Sequence, residues 1–326
     1  MSKKPLGIVI GVGNHKGGVA KSTLSCHLAA ALGERKLRVL IIDCDPGAGS
    51  TRIFGINGKS FAGTFELVVG EDSNPVELAV QAGLPRNVEL IPARAELNEI
   101  RKYLSKFVDY KNILSRGIDA ARAHYDVIIC DTAPNAEDML LVSTYLNADW
   151  VLLSAFADVL SMHGLNESLA DIADARAKRN PNLELLGVIV NAVDGRTKAW
   201  HEVNDLIARH FAGREFSTVI SRTEAIPQAF KAGKTLFQIK KHRRHPVLAQ
   251  YRMIAAEVHA RITNREDFVR DGRSALPNLA PMHPELVETT PAAEEKEIAA
   301  MQTEAVVNAI EAEAPVVGET QASANG

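Results

Sequence analysis

The sequence predicts an α/β fold with three layers, in which a mainly parallel, twisted sheet is flanked by helices on both faces. Three observations favour this fold. Apolar runs recur along the chain and are continuous rather than alternating, as expected of strands that helices cover on both faces. Segments with helical spacing of apolar residues separate these runs. Near the start, a strand pattern, a glycine-rich turn, a helix pattern and a second strand pattern follow one another within residues 6–45.

Seven apolar runs are predicted to be strands. In chain order they are LGIVIGV (6–12), RVLIIDCD (38–45), VELIPA (88–93), YDVIICD (125–131), DWVLLSA (149–155), LLGVIVNAV (185–193) and FSTVI (216–220). Between the first two runs, Leu24, Leu28 and Leu32 fall on one face of a predicted helix. Gly33 follows them and is expected to stop this helix at its C-terminus.

The composition of the chain changes near residue 264. Residues 1–264 are predicted to form the folded domain. Residues 265–326 are predicted to form a largely disordered tail rich in Pro, Ala and Glu, with a short helix over 292–312 as an alternative for that part of the tail. The tail has twelve acidic and four basic side chains, a net charge of −8, so the rest of the chain carries +5 of the total of −3. The folded domain is therefore mildly basic.

The bulk properties exclude several classes of protein. Of the 326 residues, 46% are apolar and 24% are charged, as in soluble globular proteins. The N-terminus has too short an apolar stretch for a signal peptide, and no later stretch approaches the roughly 18 apolar residues of a spanning helix. We therefore expect a cytoplasmic protein. Cys26, Cys44 and Cys130 form no C-x-x-C pair, which predicts buried free thiols rather than a metal site or a redox motif.

The stretch GVGNHKGGVAKST (11–23) lies between the first strand and the first helix. The common phosphate-loop pattern asks for glycine at His15 and Ala20, and neither position has it. The setting is still that in which backbone N–H groups and a helix N-terminus hold a phosphate. Lys21 can reach the phosphates, and the Ser22 hydroxyl can ligate Mg²⁺. The predicted nucleotide-contacting residues of this loop are Gly17, Gly18, Val19, Ala20, Lys21, Ser22 and Thr23.

The residues KGGVAKST (16–23) resemble the deviant phosphate-loop motif K-G-G-x-x-K-[ST] of the ParA/MinD group of ATPases. The resemblance implies the three-layer P-loop NTPase fold, with ATP and Mg²⁺ as ligands. It also implies that the extra lysine, Lys16, reaches the nucleotide of a partner subunit. Two subunits would then form an ATP-dependent homodimer that holds two nucleotides between them.

Three further segments resemble the same family. In LIIDCDPGAGSTRIFG, the family implies that Asp45 orients the attacking water and that Asp43 lies near the Mg²⁺ shell, although Gly47 stands where the family usually has Gln. YDVIICDTAPN resembles the Walker B segment, in which Asp131 holds a Mg²⁺-bound water. GVIVNAVDGR places Asn191 where related ATPases read adenine, but Asn is also a common turn residue.

The stretch VISRTEAIPQAFKAGKTLF also resembles ParA, so the resemblance spans about residues 6–260. The segment KAGKTLFQIKKHRRHP (231–246) has six lysines and arginines and no acidic residue, and ParA proteins use basic residues of this region to bind non-specific DNA. We expect that role for Lys231, Lys234, Lys240, Lys241, Arg243 and Arg244. A solvated charged face is the alternative interpretation of such a run.

The function predicted from the resemblance is that of a nucleoid-associated ATPase, slow unless stimulated, which drives plasmid or chromosome partition or cargo positioning with a ParB-like adaptor. Two alternatives stay open. A MinD-like protein would bind the membrane through a basic amphipathic C-terminal helix, and the acidic tail makes this membrane association unexpected. A metabolic ATPase or ligase of the same fold is the other, although a relative that carries an iron–sulfur cluster would need paired cysteines.

Overall fold

The computed structural model describes residues 6–70, 73–100, 103, 113–134, 138–211 and 213–270. Its centre is a six-stranded sheet with the strand order β3-β2-β4-β1-β5-β6, and every neighbouring pair is parallel. The strands are β1 (Ile8–Gly13), β2 (Val39–Cys44), β3 (Val88–Ile91), β4 (Val127–Thr132), β5 (Trp150–Phe156) and β6 (Glu184–Asn191). The α/β fold with a parallel sheet flanked by helices is confirmed.

Helices fill the connections between the strands. They are α1 (Lys21–Glu34), α2 (Gly49–Ile53), α3 (Thr64–Val69), α4 (Pro75–Leu78), α5 (Ser115–Arg122), α6 (Met139–Asn147), α7 (Val159–Lys178), α8 (Lys198–His210), α9 (Ala225–Lys231), α10 (Pro246–Thr263) and α11 (Arg265–Arg270). Short 3₁₀ turns lie at Gly58–Ser60, Ala95–Glu99, Leu236–Gln238 and Lys240–His242.

Strand β1 lies between β4 and β5, with Gly11 opposite both Cys130 and Val151. Because all strands are parallel, the loops that follow β1, β2 and β4 leave the sheet at the same edge. The glycine-rich loop after β1 therefore lies beside the acidic residues that end β2 and β4.

Helix α1 is buried between the sheet and α10. Leu24, Leu28 and Leu32 are fully buried, as the helical spacing predicted. His27 is also fully buried and stacks on Tyr251 of α10, with ring centroids 4.7 Å apart. Its Nδ1 donates to the Thr23 carbonyl at 2.9 Å, and its Nε2 accepts from Leu236 N at 3.2 Å. This histidine thus joins α1 to the segment that precedes α10.

Two local predictions are wrong. Residues 216–220 form no strand. Isolated bridges flank these residues, from Glu215 to Val188 of β6 and from Ser221 to Val193 just after β6. Their apolar character comes from the buried side chains of Phe216 and Ile220. Gly33 does not stop α1 but lies inside it. A Cβ there would be 2.5 Å from the Arg86 carbonyl oxygen, so glycine is needed for close packing.

Packed structure continues past the predicted domain boundary at residue 264. The Phe268 ring of α11 lies 5.9 Å from the Trp150 ring. The rest of the predicted tail, including its possible helix over 292–312, lies outside the described residues. Cys26, Cys44 and Cys130 are buried free thiols, as predicted. In the part of the chain that the structure describes, no helix is both long and apolar enough to cross a membrane.

Candidate nucleotide-binding site

The loop between β1 and α1 has the backbone of a phosphate loop without its usual glycines. Gly18 and Ala20 both take left-handed conformations, with φ of 76° and 65°. Ala20 thus adopts the conformation for which the common pattern uses glycine, at a cost of about 1–2 kcal/mol. His15 does not have a positive φ, so that position needs no glycine. The two departures from the pattern are therefore compatible with the loop.

Lys21 begins α1 and is turned inward. Its side chain is 7% exposed, and its Nζ donates to the carbonyls of Asn14 at 3.0 Å and Lys16 at 3.1 Å. Burial lowers the pKa of Lys21, while the charges of Asp131 and Asp45 oppose that shift. The ammonium group is held at the inner side of the loop, where a bound phosphate would meet it.

A chain of polar side chains fixes the loop to the neighbouring strands. Asn14 Nδ2 donates to the Ser154 carbonyl at 2.8 Å, and Asn14 Oδ1 accepts from Lys16 N at 2.8 Å. Ser154 Oγ donates to the Val19 carbonyl at 2.6 Å and accepts from Asn191 Nδ2 at 2.9 Å. Asn191 Oδ1 is buried and has no hydrogen-bond partner among the described residues. The sequence analysis did not identify Asn14 and Ser154 as site residues. The signal that could have found them is a polar residue at the end of a predicted strand.

Asp43 and Asp131 lie side by side, because β2 and β4 pair them in register. Both are fully buried. Burial and the neighbouring Asp131 raise the pKa of Asp43 to about 8, although hydrogen bonds from Thr51 N at 2.8 Å and Thr51 Oγ1 at 2.7 Å oppose the shift. Burial also raises the pKa of Asp131, against hydrogen bonds from Ser22 and Ser50.

The Ser22 hydroxyl, Asp131 and the start of α2 meet at one point. Gly49 begins α2, and a Cβ at this position would collide with Ser22 Oγ and lie 3.8 Å from Asp131 Oδ2. Asp131 Oδ2 also accepts from Ser50 Oγ at 2.7 Å. Hydroxyl and carboxylate oxygens are the ligands that Mg²⁺ prefers. The donor set fits that ion.

Within the described ranges, no group of three or more His, Cys, Asp or Glu side chains is arranged to hold a metal ion. In proteins, Mg²⁺ usually keeps several waters and takes other ligands from substrate phosphates.

Asp45 follows β2 directly and is half-buried, whereas Asp43 is fully buried. Asp45 Oδ1 accepts from Gly47 N at 2.7 Å, which closes a turn before α2. The structure therefore brings together Lys21, Ser22, Asp43, Asp45 and Asp131 at the carboxyl edge of the sheet. Asn191 reaches the same loop from β6 through Ser154.

Lys16 takes a different direction from Lys21. Its Nζ lies 2.8 Å from Asp158 Oδ1, and Asp158 also caps α7 by accepting from Ser161 N at 2.7 Å. Next to Lys16, His15 Nε2 lies 2.7 Å from Asp171 Oδ2. A Cβ at Gly164 of α7 would collide with Asn14 Oδ1. Helix α7 thus holds the outer side of the loop, which sequence reasoning did not anticipate.

The six predicted DNA-binding cations lie on the surface of the segment that runs from Lys231, which ends α9, to the start of α10. All six side chains are exposed, and none forms an ion pair with another described residue. Gly233, with φ of 62°, joins this surface to the nucleotide side of the domain, because a Cβ there would lie 2.9 Å from Gly55 Cα, just after α2. We call residues 231–244 the basic segment.

Comparisons with known proteins agree with this geometry. A family model described as an AAA domain matches residues 7–185. The chain is 32% identical over 257 residues to the chromosome-partitioning ATPase Soj of Thermus thermophilus, a match that covers 78% of this chain and 96% of that protein. It is 30% identical over 236 residues to the chromosome partitioning protein ParA of Caulobacter vibrioides, covering 72% of this chain and 87% of that protein.

A solved structure with a similar fold is cobyrinic acid a,c-diamide synthase from Mycobacterium smegmatis with bound ADP and magnesium. The TM-score is 0.67 and the sequence identity 25%, and the match covers 80% of this chain and 97% of that one. The same fold thus holds an adenine nucleotide and magnesium in a protein with another role.

Proposed function

The chain belongs to the ParA/MinD group of ATPases, and from this premise we propose that it is an ATP-dependent dimerising ATPase that binds non-specific DNA and drives partition or cargo positioning. The observation that carries the proposal is the opposite placement of two lysines on one loop. Lys21 is buried against the loop carbonyls, whereas the Lys16 side chain lies on the outer side, against the N-terminus of α7. One lysine serves its own nucleotide, and the other is available to a partner subunit.

The proposed chemistry is hydrolysis of ATP to ADP and phosphate. Lys21 neutralises the β- and γ-phosphates, and the left-handed backbone at Gly18 and Ala20 turns N–H groups toward them. Mg²⁺, when bound, neutralises charge on the same phosphates. Ser22 and Asp131 would hold that ion.

Asp43 lies one strand away from Asp131 and holds α2 through Thr51, so it positions the residues around the ion. Asp45 follows β2, is half-buried, and is the residue that we propose to orient the attacking water. The transition state also needs a stabilising positive charge, which these two carboxylates do not supply. We assign that role to Lys16 of the partner subunit. In the broader P-loop class, a cation donated in trans is worth about 10³–10⁵ in rate. The isolated subunit should therefore be slow.

Asn191 is proposed to read the adenine base. Its Nδ2 is committed to Ser154, but its buried Oδ1 has no partner among the described residues. A buried carbonyl without a donor is costly. The exocyclic amine of adenine is a donor of the right kind.

The basic segment is proposed to bind DNA through phosphates. Its six exposed cations can release counterions without reading bases, so the affinity should fall steeply with salt. ATP-bound dimers would present two such surfaces and associate with the nucleoid. A ParB-like adaptor on the cargo would stimulate hydrolysis and release them.

The test combines oligomeric state with DNA retention. With Mg-ATP the protein should form a dimer in gel filtration and bind a random-sequence duplex, and Arg243→Glu with Arg244→Glu should abolish retention at low salt while the dimer persists. The control for the change in net charge is Lys178→Glu with Arg179→Glu, which also reverses two positive charges at exposed positions, at the end of α7. Equal DNA affinity of the wild type and the first variant would refute the surface, and a monomer at saturating Mg-ATP would refute the dimer.

A metabolic ligase is the second candidate, favoured by the similarity to cobyrinic acid a,c-diamide synthase. The two candidates differ in what accelerates hydrolysis. DNA together with the adaptor should stimulate a partition ATPase, whereas only a small-molecule substrate would stimulate a ligase. A MinD-like role would depend on the C-terminal tail, which lies outside the described residues.

A further inference from the structure

A groove outside the nucleotide site lies beside the C-terminal end of α1. Its floor and walls come from α1, from the turn before β3 and from the 3₁₀ turn at Leu236–Gln238, within the basic segment. The residues that define it for the argument are Lys36, Arg86, Asn87, Phe237 and Gln238. We call it the α1 groove.

The groove is preformed by direct bonds between its walls. Asn87 Nδ2 donates to the Gly33 carbonyl at 2.9 Å, and Gln238 Nε2 donates to the Gly83 carbonyl at 2.6 Å. The Arg86 carbonyl fills the space that a side chain at Gly33 would take. The turn before β3 is therefore fixed against both α1 and the segment that leads to Lys240.

The charges of the groove are positive. Lys36 and Arg86 are exposed, and neither is paired with an acidic side chain in the described ranges. The acidic residue that lines the groove, Glu34, is neutralised by Arg252, with Nε–Oε2 of 2.7 Å and Nη2–Oε1 of 3.0 Å. Among the described residues that line it, the groove thus presents two free cations and no free anion.

Lys36 occupies a position that normally favours glycine. Its φ is 68°, and it closes α1 with bonds from Lys36 N to the Gly33 carbonyl and from Leu37 N to the Leu32 carbonyl. This is the helix-ending motif whose left-handed residue is usually glycine. Compared with glycine, lysine at this position strains the backbone, but it adds a positive charge to the groove that Arg86 also lines.

We infer that the α1 groove is a second DNA-phosphate contact, continuous with the cations of the basic segment. The continuity comes from the chain itself, because Phe237 and Gln238 line the groove and Lys240 and Lys241 follow closely. We infer that a duplex bound at Lys240 and Lys241 also contacts Lys36 and Arg86. The inference rests on the proposed DNA binding and enlarges its footprint to parts of α1 and the β3 turn.

The test is a comparison of two charge-reversal pairs in the full chain with Mg-ATP. Lys36→Glu with Arg86→Glu should weaken binding to a random-sequence duplex roughly tenfold or more near 0.1 M salt, and should reduce the slope of log K against log salt by about 1 to 2. ATP-dependent dimerisation and the melting temperature should not change. Lys36→Gln with Arg86→Gln should give a smaller effect of the same sign, and Lys178→Glu with Arg179→Glu should have none.

Other results would overturn the inference in distinguishable ways. If the groove variant binds DNA normally while Arg243→Glu with Arg244→Glu does not, the inference fails and the proposed function stands. If the wild type itself does not bind DNA, both fail. If the groove variant loses binding only to vesicles with one third phosphatidylglycerol, the ligand is anionic lipid and the DNA assignment is wrong.

Discussion

Lys16 and Asp158 form an ion pair within one chain, with 2.8 Å between Lys16 Nζ and Asp158 Oδ1. The lysine proposed to act on a partner's nucleotide is therefore held by the residue that caps α7 in the single subunit. Both side chains are partly exposed, so the pair is worth at most about 1 kcal/mol. Such a pair is weak enough to exchange for a stronger contact with a phosphate.

Replacing Asp158 by Asn should favour dimerisation. Asn still accepts from Ser161 N and caps α7, but it no longer competes for Lys16. Each dimer breaks two such pairs, one in each subunit, so a contribution of up to about 1 kcal/mol from each predicts half-maximal dimer formation at up to about 30-fold lower protein concentration. Sedimentation at saturating Mg-ATP measures this.

Asp158→Ala serves as the comparison, because it removes the cap as well and should destabilise the protein by about 1 kcal/mol. A dimer weakened by Asp158→Asn as much as by Lys16→Ala would show instead that Asp158 takes part in the interface.

Two substitutions in the nucleotide site should have opposite effects on the dimer. Lys21→Ala removes the ammonium group that neutralises the phosphates and should abolish ATP-dependent dimerisation. Asp45→Ala removes the group that orients water but leaves the phosphate contacts, so an ATP-loaded dimer should accumulate on DNA. Gel filtration with ATP, with and without a duplex, distinguishes the two. A dimeric Lys21→Ala protein would contradict the first expectation, and rapid ATP turnover by Asp45→Ala the second.

The continuous apolar runs were enough to predict the parallel sheet, because burial on both faces leaves a composition that the sequence records directly. The strand predicted at 216–220 was wrong because Phe216 and Ile220 are buried without a continuous hydrogen-bonded ladder. A run of apolar residues indicates burial, and it does not indicate whether the segment pairs with a strand.

The site divides in a similar way. The positions of Lys21, Ser22 and Asp131 could be predicted because they depend on local spacing and on strand ends. Partners such as Asp158 and Asp171 lie more than a hundred residues from the loop and are brought to it only by the packing of α7. Ala20 shows the limit of pattern matching, since what the loop requires there is a left-handed backbone and not a particular residue.

Gly233→Ala should destabilise the protein and displace the basic segment. Gly233 has φ of 62°, and a Cβ there would lie 2.9 Å from Gly55 Cα, a backbone atom that cannot rotate away. We expect a loss of about 2 kcal/mol or more in the free energy of unfolding, and weaker DNA retention.

Gly83→Ala is the matched control for this substitution. Gly83 also has a positive φ, of 80°, but nothing lies within 4 Å of the position that its Cβ would take, so only the backbone cost of about 1 kcal/mol applies. Urea denaturation of both variants measures the difference. Equal losses in the two would mean that the contact between Gly233 and Gly55 adds nothing to stability.

His27 should make stability depend on pH between about 6.5 and 4. Complete burial lowers the pKa of His27 to about 4, against a bond to the Thr23 carbonyl that opposes the shift. The unfolded chain binds a proton to this residue at higher pH than the folded protein does. The stability that neutral His27 contributes is therefore fully present above pH 6.5 and is lost as the pH falls toward 4.

The variant His27→Gln should remove this part of the pH dependence, because the amide can still donate to Thr23 and accept from Leu236 N but does not titrate. Between about pH 7 and pH 4.5, the free energy of unfolding of the wild type should fall by roughly 2–3 kcal/mol more than that of the variant. Urea denaturation at the two pH values gives this difference, and titration of the carboxyl groups cancels because both proteins share them. The exposed His124→Gln should leave the wild-type difference unchanged. If the free energy of unfolding falls equally in the wild type and in His27→Gln, folding does not lower the pKa of His27, and its contact with Leu236 N does not depend on the neutral ring.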